Sequence, residues 1–140
     1  MKNIKIFLVA AFIFSMVYAE VGPTKDKGIV YVIRKKSLKG AAVEVGVNEG
    51  EDELGRIANG RVKYIMLEPG DYSIGGRKEK KQVPVKVEAN KSYYLSCKPK
   101  MGMFNGLGDW GAPGAFELIS EKEAKKLMKK TKGRARELDY

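Results

Sequence analysis

The sequence predicts an all-β fold, a sandwich of about seven short strands followed by a short C-terminal amphipathic helix. Three observations carry this expectation. Short β-branched runs alternate with period two, turn-forming pairs separate them at fairly regular spacing, and a single late segment has helical periodicity behind a capping signal.

In chain order, Ile29 to Ile33 is apolar at every position, so it reads as a central strand covered on both faces. Val43, Val45 and Val47 alternate with Glu44, Gly46 and Asn48, which gives a strand with one buried and one wet face. Asn59-Gly60 lies between Leu54–Ile57 and Val62–Leu67, and Asn-Gly accepts the positive φ angles of a two-residue hairpin turn. Pro69-Gly70 suits the centre of a type II turn leading into Tyr72–Ile74.

The charged stretch Arg77 to Lys81 reads as a solvated hairpin tip. Val83, Val85 and Val87 alternate next, and Pro84, which lacks an amide proton, puts that strand at a sheet edge or turns its nitrogen outward. After the turn Ala89-Asn90-Lys91, the residues Tyr93, Leu95 and Cys97 share one face. Lys98 to Gly114 is rich in glycine without a usable period and is expected to be a long loop. A short strand at Ala115–Ile119 precedes the helix, which opens on a Ser120/Glu123 capping box and carries the narrow apolar stripe Ala124, Leu127, Met128.

The first residues have the three parts of a secretory signal: Lys2 and Lys5, an apolar stretch from Ile6 to Val17, and Val17-Tyr18-Ala19 before the cut. The apolar run is too short to span a bilayer, so cleavage after Ala19 and a periplasmic or secreted product are expected. With no cysteine directly after the cut, no lipid attachment is expected either. The organisation is then a signal peptide at 1–19, a linker at 20–27, a sandwich domain at 28–119, and a basic helix and tail at 120–140.

Composition narrows function further. The chain has no histidine and one cysteine, Cys97, which removes the usual Ser-His-Asp and Cys-His catalysis, the common zinc sites and any intrachain disulfide. No catalytic residue, metal or cofactor is expected, and Cys97 on a buried face behaves as a small apolar group. The net charge is +10; removing Lys2 and Lys5 leaves 25 basic against 17 acidic side chains, which favours anionic partners.

Two segments are candidate ligand contacts. Gly106-Leu107-Gly108-Asp109-Trp110-Gly111 fits a dinucleotide-binding glycine pattern, but Ala112-Pro113-Gly114 makes a poor helix start behind it. The same loop could stack Trp110 and Phe104 on a flat ligand beside Asp109, or those rings could simply plug one end of the sandwich. The second candidate is the segment from Glu121 to Tyr140, where eight Lys and Arg meet four acidic residues. Lys125, Lys126, Lys129 and Lys130 could attract an anionic surface, while the stripe between them could equally dock on the domain's own sheet. Tyr93-Tyr94 is a lone adjacent pair whose members face opposite ways, so nucleic-acid binding is not expected.

Val45-Gly46-Val47-Asn48-Glu49-Gly50, Leu67-Glu68-Pro69-Gly70-Asp71-Tyr72 and Val85-Lys86-Val87-Glu88-Ala89-Asn90-Lys91-Ser92-Tyr93-Tyr94 resemble segments of an uncharacterised family of small exported bacterial proteins and lipoproteins. The resemblance implies a transthyretin-like or PEGA-like sandwich and says more about fold than function. The expected role is an exported, non-enzymatic binding or structural module of the envelope. Its partner would be an envelope protein or an anionic surface, with membrane contact at most peripheral. The alternatives are an enzyme built around Asp109 and Trp110, and a domain that self-assembles through an open sheet edge.

Overall fold

A computed structural model describes residues 21–38, 41–78, 81–99, 111–112 and 114–138; the expected signal peptide lies outside them. The chain forms β1 (Gly28–Ile33), β2 (Glu44–Glu49), β3 (Asp52–Ile57), β4 (Val62–Leu67), β5 (Gly70–Gly75), β6 (Gln82–Val87), β7 (Ser92–Pro99), β8 (Gly111–Ala112), β9 (Gly114–Ile119), helix α1 (Glu121–Met128) and β10 (Arg136–Glu137). One sheet has the order β10-β4-β1-β7-β9 and the other β3-β2-β5-β6, with β8 paired to β2. Among the described residues this is an all-β sandwich with a short C-terminal helix, the fold that the sequence predicts.

β1 is the middle strand of the first sheet, antiparallel to β4 and parallel to β7, and both of its faces are covered. Val30 and Val32 point between the sheets with Ile65, Leu95 and Cys97, against Val45, Val47, Ile57, Ile74, Val85 and Val87 of the second sheet. Each such burial contributes about 2 kcal/mol. The ion pairs Glu53–Arg56, Glu88–Lys91 and Glu121–Lys125 are exposed to solvent and contribute little, so the inter-sheet layer holds the domain together. β6 is an edge strand, which is how Pro84 is accommodated opposite Ser73.

The turns depart from expectation. β3 and β4 belong to different sheets, so Asn59-Gly60 does not close a hairpin. Gly60 does take φ +68°, but Asn59 does not; its side chain accepts from Ser37 N–H at 3.0 Å and donates to Ser37 O at 2.9 Å, tying the crossing to the chain leaving β1. The two-residue hairpin turn is Gly50-Glu51, between paired Glu49 and Asp52, with a leading glycine at φ +58°. Pro69-Gly70 is not a type II turn either. Gly70 lacks the required positive φ and is already paired with Val87 in β5. Instead Tyr72 donates its hydroxyl to Glu68 O at 2.9 Å, an arrangement like the tyrosine corner that fixes a sheet-to-sheet crossing in Greek-key sandwiches.

Strand bounds and burial also depart from expectation in places. The expected loop from Lys98 to Gly114 is shorter, because β7 continues through Pro99, Gly111–Ala112 pairs in parallel with Glu44–Val45, and Gly114 starts β9. Since β3 occupies one edge of β2, β5 and β8 share the other, at Asn48–Glu49 and Glu44–Val45 respectively. Asn48, expected to be wet, is buried on the face it shares with Gly46, and beside it the register against β3 shifts, leaving Leu54 as the extra residue of a bulge. The tail returns to the sandwich: β10 adds to the first sheet beside β4, and Leu138 enters the core.

Candidate functional site on the helix-covered face

The outward side chains of the first sheet form a second apolar layer, in which Ile33 and Val62 meet Ala124 with Tyr31, Tyr94, Ile119, Leu127 and Met128 around them. Helix α1 is set against it by its start. Ser120 Oγ accepts from Glu123 N–H at 3.3 Å and Glu123 Oε2 accepts from Ser120 N–H at 3.1 Å, so the predicted capping box is complete. Ala124 is fully buried, and its small side chain lets the helix approach the sheet closely. The apolar stripe is therefore used within the fold. The helix docks on its own domain.

That docking orients the basic residues. Lys125, Lys126, Lys129 and Lys130 are all exposed on the solvent side of α1 and just past its end, where the negative end of the helix dipole favours cations. Lys125 is engaged with Glu121 at 3.0 Å, whereas Lys126, Lys129 and Lys130 have no ion pair among the described residues. The four lysines named from the sequence are thus brought together on one short, fixed element. Phe104, Asp109 and Trp110, the other candidate contacts, lie outside the described residues.

Two neighbouring features define what else this face offers. Tyr64, Tyr31 and Tyr94 stand in one row across β4, β1 and β7. Tyr31 and Tyr94 stack at 5.3 Å and 9°, Tyr64 tilts against Tyr31 at 6.3 Å, and the Tyr31 hydroxyl donates to Val21 O. A shallow open groove of about 470 Å³ lies where β9 stops at Ile119 while β7 runs on to Ser92. Tyr93, Tyr94 and Leu118 line it, and its charged residues Lys91 and Glu121 are already paired with Glu88 and Lys125. Its charges being matched internally, the groove offers less to an anion than the helix does.

Two residues inside the sandwich bear on chemistry. Cys97 is 2 % exposed, and burial pushes its thiol up to about 12, with nearby Arg34 pulling the other way. A neutral, enclosed thiol is a poor nucleophile, as expected of a core cysteine. Arg34, which the sequence did not single out, is 1 % exposed at the end of β1, and its Nη1 donates to Val43 O at 2.5 Å and Ile57 O at 3.0 Å. It ties the first sheet to strands of the second. Burial lowers its pKa from the usual arginine value, with Cys97 and Glu44 opposing, and it stays charged. Among the described residues no cluster of His, Cys, Asp or Glu could hold a metal, and no helix is long and apolar enough to cross a membrane.

Fold and site together define a two-sheet β-sandwich domain that carries a docked basic helix on one outer face. The chain belongs to a family described as protein of unknown function, DUF2846, whose model matches residues 24–112. The matched region runs from the approach to β1 through β8, so α1 and its lysines lie beyond it. No curated protein and no solved structure matches the chain.

Proposed function

We propose that this protein is an exported, non-enzymatic binding module that meets an anionic surface of the bacterial envelope through the lysine face of α1. The carrying observation is the division of labour on that helix: Ala124, Leu127 and Met128 are committed to the domain's own sheet, and Lys125, Lys126, Lys129 and Lys130 face outward. With its apolar stripe in use, the helix has little to insert, so binding would be peripheral and electrostatic. Export rests on the Met1–Ala19 pattern, and a transthyretin-like or PEGA-like kinship is supported by the sheet crossing at Tyr72.

Co-sedimentation with vesicles tests this. Vesicles containing phosphatidylglycerol should retain the protein at low salt and release it as ionic strength rises, and pure phosphatidylcholine should not retain it. Replacing the four lysines by glutamine should abolish retention with the fold intact. Equal binding to both vesicle types, or retention unchanged in the variant, would overturn the reading.

A further inference from the structure

Away from the lysine face of α1, three cations from distant parts of the chain converge where β1 ends, the β3–β4 crossing turns, and the chain leaves the helix. Gly60 sits against the stem of Lys36; a Cβ placed on it would lie 3.1 Å from Lys36 Cβ. The same glycine accepts from Lys132 N–H at 2.7 Å, and Arg61 Nη1 donates to Lys132 O at 3.3 Å. Gly133, at φ +77°, lies close enough that an added Cβ would be 3.2 Å from Arg61 Nη1. The backbone at this corner is thus cross-tied, with Arg34 N–H also donating to Arg61 O at 3.0 Å.

Lys36, Arg61 and Lys132 are all exposed, and none has an ion pair among the described residues. Exposed lysines ordinarily swing apart from like charge, because water solvates each ammonium well and their stems are flexible. Here the side chains of Lys36 and Lys132 approach each other, with Arg61 beside them, and their proximity lowers the pKa of Lys132. Positive groups concentrated around fixed backbone and unmatched by carboxylate are the electrostatic complement of a compact, multiply charged anion. Arginine and lysine together provide planar, forked donors and a movable point charge, the combination that suits tetrahedral oxyanions.

We propose that Lys36, Arg61 and Lys132 form a binding site for a phosphate group, either inorganic phosphate or the exposed phosphomonoester of a lipid headgroup. The site deepens the anionic-partner reading and rests on it, adding a localised contact to the diffuse field of the helix. Occupation would join three segments, so a bound phosphate also braces the corner at which the chain passes between sheets.

The test titrates inorganic phosphate into the protein at constant ionic strength, with chloride as the control, following backbone amide resonances and the melting temperature. Saturating shifts at Gly60, Lys132 and Gly133 and a rise in melting temperature, both absent with chloride, are expected. Lys132→Glu should weaken phosphate binding about ten-fold or more by removing one charged donor and repelling the anion. It should melt no lower than wild type without phosphate, because it relieves the repulsion, which separates lost binding from lost fold. Lys36→Gln should weaken binding in the same direction, and Lys126→Glu on the helix should leave it intact. Shifts that fail to saturate, or equal losses from Lys132→Glu and Lys126→Glu, would overturn the site.

Vesicles distinguish the two sources. If Lys132→Glu lowers retention on phosphatidic acid but not on phosphatidylglycerol, the phosphomonoester headgroup is the ligand; if it lowers neither while free phosphate still binds, the ligand is the free ion. Retention lost only in the four-lysine helix variant, with no phosphate bound, would refute this site and leave the proposed function standing.

Discussion

Cys97 makes the interior measurable through pH. In the folded protein its thiol titrates near 12, against a reference of 9.0 once the chain unfolds. The sign follows from which state gives up its proton first. Between these values the unfolded state loses the thiol proton while the folded state keeps it, so stability falls as pH rises above 9 and is fully present below. At pH 10 the unfolded thiol is ionised about ten to one, which favours unfolding by about 1.4 kcal/mol, while the folded thiol is ionised at only about one part in a hundred. Cys97→Ala should be less stable at neutral pH by about 1 kcal/mol for the small cavity, but it lacks this pH-dependent loss. Urea unfolding of both proteins at pH 7 and pH 10 isolates the term, since the two differ in ionisable groups only at residue 97. The wild-type midpoint should fall by about 1 M urea more than that of the variant. Equal falls would show that Cys97 is hydrated in the folded protein and that the inter-sheet layer is not sealed around it.

Other substitutions test other joints. Gly28→Ala places a methyl 2.6 Å from Glu88 O and from Val87 Cγ1, and relieving that contact strains the Ile29 N–H to Lys91 O bond. A loss of about 2–3 kcal/mol is expected, whereas Gly22→Ala, with open space around it, should melt with the wild type. Tyr72→Phe removes the hydroxyl bond to Glu68 O and should cost about 1 kcal/mol in chemical denaturation; no change would mean the corner is held by packing alone. Leu138→Ala should cost about 2–4 kcal/mol, and a melting curve unchanged by it would contradict the placement of the tail in the core.

The sequence was most legible where local pattern and final burial coincide. Ile29–Ile33 is apolar throughout because β1 is covered by the second sheet on one side and by α1 on the other, and Ser120 with Glu123 needs only local geometry to cap a helix. Asn59-Gly60 misled because a turn signal reports backbone angles and not which strands pair. The same positive φ at Gly60 serves a crossing between sheets. β8 and β10 are two residues each, too short for any period, and form only because distant strands offer open edges. Arg34 was invisible as a buried residue because a charged side chain is normally exposed, and hydrogen bonds such as those to the carbonyls of Val43 and Ile57 make its burial tolerable. The lysines of α1 were legible as a group because they are neighbours in sequence. Lys36, Arg61 and Lys132 were not, since only the folded chain brings them to one corner.

The return of the C-terminal segment has a consequence for biosynthesis. β10 lies in parallel beside β4, roughly seventy residues earlier in the chain, and Leu138 N–H donates to Tyr64 O at 3.0 Å while its side chain fills the core. The first sheet is therefore completed only after residue 138 has left the ribosome, and the slow, long-range pairings of β1 with β7 and of β4 with β10 work in the same direction. A chain whose last core contact arrives so late stays open for longer while it is being made, which is a state that the proposed export would use.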